Sequence, residues 1–359
     1  MHQHESFIGV FTLLGEFLRQ FPEQTRNDSA ELAALNESLF DPFTTMLEQE
    51  HVFNPWFTPE SVDRALLGVA KMLDKKVLQK WLKEYPIASP VPGEEKRVGL
   101  VLAGNIPLVG FHDILCVLAS GHRVLAKTSS KDDRLIKKVA EAIGIIDPEM
   151  GQQITLTDDR LSGMDGVIAT GSDNSARYFE YYFREIPHII RKNRNGVAVL
   201  TGNETEDELE LIGNDIFTYF GLGCRNVTKI YVPDHYDLKI LLGILDRFHA
   251  LGQYHKYANN VDYYRSIYLM NRVEILDNGV LLLKEDTAIA SPVGVAFYER
   301  YSEIGFVQQQ LKEREEEIQC TVSLHPGIMN GIAPGSTQEP MPWDYADGVD
   351  TLRFLTELR

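Results

Sequence analysis

The chain has 359 residues, room for two ordinary domains or one large one, and 44% of them are hydrophobic, enough for a substantial core. With 35 Lys and Arg against 52 Asp and Glu, the net charge is −17. This argues against nucleic acid or an anionic membrane as a partner, because phosphate binding needs a basic face, but it leaves room for a local pocket that holds a small anion.

The N-terminal run carries Glu5 ahead of a short apolar stretch and lacks a basic n-region, so it is not expected to act as a signal peptide. No apolar stretch approaches bilayer length. Phe7, Val10, Phe11, Leu14, Phe17 and Leu18 recur at helical spacing and predict an amphipathic helix over the first twenty residues. Helical pattern continues over 59–85, with Val62, Leu66, Val69 and Leu73 on one face. The proline-rich stretch "PIASPVPGEEK" ends it and sets a boundary near residue 95. Beyond that point strands at 98–104, 122–128, 153–158 and 165–172 alternate with helices at 107–120, 131–144 and 174–184. Such alternation predicts an α/β fold with a parallel sheet covered on both faces, and in such sheets ligands bind at the carboxyl ends of the strands. A second series follows: strand 195–202, helix 206–220, strand 227–233, helix 236–249, then strands at 291–301 and 317–325. The tail is loop-rich and ends in a short helix.

Three cysteines, Cys116, Cys224 and Cys320, are too few and odd in number for a disulfide framework, so a reducing cytoplasm is the expected location. Cys224 follows Gly221-Leu-Gly223, which resembles the start of a dinucleotide fingerprint. That fingerprint needs strand, glycines and helix in this order. Here a helix precedes the glycines and a strand follows them, so the dinucleotide reading fails. Two readings stay open: the glycines cap a helix over a small buried Cys224, or they present a nucleophile. Other turns carry polar groups at strand ends. Asn105 offers an amide to a developing oxyanion, or caps a helix. Lys127 ends a strand ahead of Ser129, Ser130 and Lys131. Gly171 and Ser172 form a strand-to-helix turn suited to phosphate, or Ser172 is an N-cap. Glu285 precedes a Pro-containing turn, or is solvated charge. Cys116 and Cys320 lie in apolar or strand contexts and read as structural. No metal site is expected, since the cysteines lack metal-ligand spacing.

In this order and spacing, Asn105-Ile-Pro107, Lys127, Thr170-Gly171-Ser172, Gly221-Leu-Gly-Cys224, and Glu285 with Ser291-Pro-Val293 resemble the motifs of the aldehyde dehydrogenase superfamily. "AGNIPLVGFHDIL", "IIRKNRNGVAVL" and "WDYADGVDTLRFL" look more specifically like its LuxC-like acyl-CoA reductase branch. The resemblance implies an aldehyde-dehydrogenase-like fold with a Rossmann-type nucleotide-binding domain and an α/β catalytic domain. The expected divisions are a helical region over 1–95, a nucleotide-binding domain over 96–195, a catalytic domain over 196–325, and a segment over 326–359 that returns to the core or to an oligomer interface. It further implies Cys224 as nucleophile, Asn105 as oxyanion donor, and Lys127, Ser130, Lys131, Gly171, Ser172 and Glu285 as cofactor ligands. The implied substrate is acyl-CoA or an acyl-carrier thioester, and the implied assembly a homo-oligomer, dimer or tetramer.

Two departures bear on mechanism. Hydrolytic members carry a glutamate in an "E-L-G-G-K" segment that activates water. The matching segment here, "HIIRKNRNGVAVL", has no acid, which leaves hydride transfer or thiol exchange as exits from the acyl-enzyme unless Glu204 or Glu206 serves instead. Where NAD-preferring members place a glutamate on the ribose hydroxyls, this chain has Ser129-Ser130-Lys131, which favours the 2′-phosphate of NADPH over NADH. Reduction of an acyl-CoA to an aldehyde is therefore expected. The alternatives are oxidising or CoA-acylating aldehyde dehydrogenase activity, and a cofactor-independent thiol acyltransferase or thioesterase. Arg225 and His112 are candidates for lowering the Cys224 pKa.

Overall fold

The computed structural model describes residues 2–85 and 94–358, so Pro86–Gly93, most of the proline-rich stretch, lies outside the described residues. The chain divides into two units, residues 1–192 with 340–359 and residues 193–339.

In the first unit the predicted N-terminal helix runs His2–Arg19 and buries Phe11, Leu14, Phe17 and Leu18 completely. Each such side chain contributes roughly 1.5–3 kcal/mol of burial. The predicted helical stretch beyond 59 is two helices, Pro59–Met72 and Lys75–Lys83. Thr58 caps the first by accepting from the Ser61 N–H. These helices share one core with the strands that follow. The strands are β1 (Arg97–Val101), β2 (Arg123–Lys127), β3 (Ile154–Thr157), β4 (Gly166–Thr170) and β5 (His188–Arg191). They form a parallel sheet in the order β3-β2-β1-β4-β5, so their carboxyl ends share one edge. Strand β5 was not expected from the sequence.

A buried ion pair ties this unit together. Arg191, at the end of β5, donates to Asp113 at 2.7 Å and to the Thr351 hydroxyl at 3.0 Å. Thr351 opens the C-terminal helix Thr351–Thr356, whose Leu352 and Leu355 are fully buried in the same core.

The second unit carries β6 (Asn195–Val199), β7 (Val227–Pro233), β8 (Leu276–Asp277), β9 (Leu282–Glu285), β10 (Val295–Tyr301) and β11 (Ile318–Ser323). They form a sheet ordered β11-β6-β7-β10-β9-β8, parallel except for the β8–β9 pair. The helix Glu206–Phe217 opens with a full capping box, Thr205 with Glu208. The helix His255–Met270 was not expected: only Tyr257 and Val261 of it are buried, too few to print a helical period. No helix among the described residues is long and apolar enough to cross a membrane.

Candidate active site

The carboxyl edge of the five-stranded sheet gathers six of the predicted positions. Lys127 is the last residue of β2 and Thr170 the last of β4. Asn105 follows β1 in an exposed turn. The expected helix at 107–120 begins only at Phe111, with Gly110 as its cap, so Asn105 does not cap it. Leu108 is the reason for the late start: its φ of 59° is left-handed, a conformation costing a residue with a Cβ roughly 1–2 kcal/mol. Its N–H donates to the buried Asp132 carboxylate at 2.7 Å. Close contact fixes the turn from the other side too. A Cβ on Gly104 would come within 2.4 Å of the Ser129 hydroxyl oxygen, and Leu102 donates its N–H to the Lys127 carbonyl at 3.1 Å.

Lys127 donates through Nζ to the Asp158 carbonyl at 2.9 Å and, at 3.4 Å, to that of Asp159. Ser129 accepts from the Lys131 N–H, and Ser130 and Lys131 are both exposed. At the next turn Ser172 caps the helix Asp173–Phe183 by accepting from the Ser175 N–H. A Cβ on Gly171 would meet Ser175 at 2.8 Å and Phe179 at 3.0 Å, so only glycine fits there.

Cys224 lies in the second unit, exposed, in the turn that leads into β7. Helix Glu206–Phe217 stops short of the expected residue 220 because Tyr219 (φ 54°) and Phe220 (φ 58°) are left-handed, followed by Gly221 at 75°. Two consecutive left-handed aromatic residues are a costly backbone that only its surroundings can hold. Buried Asn226 supplies the hold. Its Oδ1 accepts from the Gly223 N–H at 2.7 Å, and its Nδ2 donates to the carbonyls of Thr218 (2.8 Å), Asp215 (3.0 Å) and Ile216 (3.3 Å). Gly196 of β6 lets this turn come close: its N–H donates to the Asn226 carbonyl, and a Cβ would strike the Arg225 carbonyl at 2.6 Å. Arg225 donates through Nε to the Thr337 carbonyl, and Thr337 is in turn held by the buried Asp215 carboxylate through both N–H and hydroxyl.

The other cysteines differ from Cys224. Cys116 is buried, and burial pushes its thiol well up. Cys320 Sγ lies 3.6 Å from the Arg225 carbonyl, and burial pushes its pKa up to about 12. His112 serves the fold of the first unit. Its Nε2 is 2.9 Å from the Pro342 carbonyl, it packs near Trp81 and Tyr345, and burial lowers its pKa, favouring the neutral ring.

Solved structures similar to this chain include aldehyde dehydrogenases. An indole-3-acetaldehyde dehydrogenase variant of P. syringae, in complex with NAD+ and IAA, shares 12% identity at a TM-score of 0.64, over 91% of this chain and 73% of that one. A Mycobacterium tuberculosis aldehyde dehydrogenase complexed with NAD+ shares 14% at 0.58, over 92% and 83%. The chain has the aldehyde dehydrogenase fold. A double mutant of the betaine aldehyde dehydrogenase of Staphylococcus aureus, also with NAD+, shares 14% at 0.60, over 89% and 73%. At these identities the likeness is one of fold. No protein-family model matches the sequence, and neither does any curated protein.

Within this aldehyde dehydrogenase fold, Glu285 stands apart from the Cys224 turn. It ends β9 and is level with Tyr298 of β10, which is level with Ile230, the fourth residue of β7. These strands are parallel and Cys224 precedes β7, so at about 3.3 Å per residue the strand alone separates them by roughly 10 Å along the sheet. Exposed Glu285 has the Tyr298 hydroxyl 3.5 Å away. The following loop returns toward the amino end, where the Ile289 carbonyl accepts from the Thr228 hydroxyl at 2.8 Å. Sequence reasoning missed the ammonium that starts this return: buried Lys229 bonds the Asp286 carbonyl and pairs with Glu299 at 2.8 Å. A lysine inside an otherwise apolar strand was its one signal.

Proposed function

We propose that the protein reduces an acyl-CoA to an aldehyde with NADPH, through a covalent acyl-enzyme on Cys224. The observation that carries this reading is the Cys224 turn itself: an exposed thiol in a turn gripped by buried Asn226 and preceded by left-handed Tyr219–Gly221, while the other two thiols are pushed up in pKa by burial. A turn fixed by buried hydrogen bonds that leaves one cysteine exposed is what a presented nucleophile requires.

In this reading the Cys224 thiolate attacks the thioester carbonyl. The Cys224 N–H takes the developing oxyanion, a term worth about 3–4 kcal/mol per donor. The thiolate of CoA leaves with its electron pair. The residues at the carboxyl edge of the first sheet fit a dinucleotide. Gly171 leaves no room for a Cβ, Ser172 caps a helix N-terminus suited to phosphate, and exposed Ser130 and Lys131 suit a 2′-phosphate. Lys127 would hold the same edge. A reduced nicotinamide would supply the hydride to the acyl-enzyme, whose hemithioacetal would then collapse to aldehyde and Cys224 thiolate. Glu285, exposed at the end of β9, stays a proposed cofactor ligand.

Water is a poor competitor in this scheme. Glu204 is held by the Thr201 N–H and hydroxyl and by the Gly202 N–H, and Glu206 pairs with Arg247. Both carboxylates are thus engaged away from the role of base. The NAD+ in the related folds favours a second reading, oxidation of an aldehyde, which with CoA as the acyl acceptor is the same chemistry reversed.

The test is NADPH oxidation across an acyl-CoA length series, with mass spectrometry of the protein. Acyl-dependent consumption and an adduct on Cys224, absent from Cys224→Ser, are expected. Aldehyde-dependent NAD(P)+ reduction without any acyl-CoA turnover would establish the second reading instead.

A further inference from the structure

We propose that Asp215 is a positioning residue that, through Thr337, holds the Arg225 guanidinium beside the Cys224 thiol. This rests on the reading of Cys224 as nucleophile, and goes beyond it by naming the charge that attends the thiolate and the side chain that sets it there. Every residue involved belongs to the second unit.

The two residues that follow Cys224 are both anchored to Asp215. Its backbone carbonyl accepts from Asn226 Nδ2 at 3.0 Å. Its carboxylate is buried, the residue being only 1% exposed, and accepts the Gly335 N–H at 2.7 Å, the Thr337 N–H at 3.1 Å and the Thr337 hydroxyl at 2.8 Å. Left-handed Gly335, at φ 82°, lets one short segment turn all three donors onto one carboxylate. Thr337 is fully buried, and its carbonyl accepts from Arg225 Nε. An arginine side chain left to itself samples many rotamers, so a fixed carbonyl at its inner nitrogen is what gives the charge a place. Cys320 of β11 lies close to that place. Its Sγ is 3.6 Å from the Arg225 carbonyl; burial raises its pKa most, while the Arg225 charge lowers it and a Cys224 thiolate raises it. Both groups thus act on the same sulfur. A guanidinium beside a thiol favours the thiolate, the form that attacks a carbonyl.

The experiment is alkylation of Cys224 in the full chain by iodoacetate and by iodoacetamide, read on the Cys224 peptide by mass spectrometry. In both reactions the Cys224 thiolate bonds the methylene carbon and iodide leaves with the electron pair. The reagents differ in charge, so the ratio of their rates reads a cation beside the thiol, whereas a merely loosened turn changes both rates alike. Arg225→Gln is expected to lower the iodoacetate-to-iodoacetamide ratio about three- to tenfold, the effect of one unit charge a few ångströms away near the surface. Asp215→Ala should lower it by a comparable factor although Arg225 is still present, and in the Arg225→Gln background it should lower it no further. Asp215→Asn, which keeps an oxygen for Thr337 but not the charge, should hold the parental ratio or exceed it. A charge effect alone would raise the ratio in both Asp215 variants. Should Asp215→Ala fail to fold, Thr337→Val removes the hydroxyl bond and should lower the ratio in the same direction. A ratio at or above the parental one in Asp215→Ala, or in Thr337→Val where it stands in, overturns the inference, and so does a further fall in the Arg225→Gln background. A ratio unmoved by Arg225→Gln overturns it too, and leaves the nucleophile reading intact. Ratios as expected in a protein that forms no acyl adduct on Cys224 remove the nucleophile reading and leave this arrangement standing.

Discussion

Asn226→Ala is the substitution whose cost can be built up bond by bond. Three of the four bonds made by Asn226 are well formed, at 2.7, 2.8 and 3.0 Å. Truncation leaves the Gly223 N–H and the Thr218 and Asp215 carbonyls without this partner in a buried site. At the low end of the range for such groups, about 1–1.5 kcal/mol each, the loss is about 3–4.5 kcal/mol. Relaxation of left-handed Tyr219 and Phe220, each held at a cost of roughly 1–2 kcal/mol, returns part of it. The net expectation is a loss of about 2–3 kcal/mol, confined to the turn and the start of β7. All three tryptophans, Trp56, Trp81 and Trp343, lie in the first unit, so their fluorescence is a poor probe of this loss. Hydrogen exchange of the 218–233 segment reads it directly. At 1.36 kcal/mol per decade, exchange should accelerate about 30- to 150-fold while the five-stranded sheet is unchanged. Acceleration below threefold, or an equal change in both sheets, would refute the reasoning.

Three further outcomes follow from the same structure. Iodoacetamide near pH 8 should modify Cys224 and spare Cys116 and Cys320, because burial raises both of the latter and keeps them as thiols; peptide mapping decides. Arg191→Met strands the buried Asp113 carboxylate and should cost about 3–5 kcal/mol, with Arg191→Met/Asp113→Asn recovering much of it; tryptophan fluorescence suits this unit. Burial raises the Asp132 carboxyl well above its ordinary 3.8, against the pull of the Leu108 N–H, so the folded chain keeps a proton the unfolded chain gives up. That contribution is full below the ordinary carboxylate pKa and is lost as pH rises through the raised one. Asp132→Asn should therefore match the parent's unfolding temperature near pH 4 and exceed it near pH 8; an equal difference at both would refute the assignment.

What the sequence made legible was set by periodicity. The first helix and β7 print their buried faces directly, as Phe11, Leu14 and Leu18 do at helical spacing and as the unbroken burial of Val227–Pro233 does for a central strand. The helix His255–Met270 was missed for the converse reason, since its buried side chains are too few. The candidate site was legible as turn chemistry at strand ends, which is local. Its supports were not. Asp132 lies 24 residues beyond Leu108, and Thr337 lies 112 beyond Arg225. Such contacts carry no spacing rule, and a buried Asp or Asn in a polar stretch reads as surface until the fold encloses it.

Two of the helices whose ends were misjudged border Asn105 and Cys224, and one physical cause accounts for both. Local propensity would continue a helix backward from Phe111 and forward from Phe217. In each case the chain turns left-handed instead, at Leu108 and at Tyr219–Phe220. Each departure costs roughly 1–2 kcal/mol per residue, so it persists only where a stronger interaction opposes it. In each case that interaction is a buried polar side chain gripping a backbone N–H at 2.7 Å, Asp132 on Leu108 and Asn226 on Gly223. A bond of this kind contributes about 0.5–1.5 kcal/mol. That is the same size as the strain it offsets. The balance is therefore close, and a turn so held is sensitive to one substitution where the sheets are not. The apolar core determines where the strands lie, and these two side chains determine how the turns at their ends present an amide and a thiol.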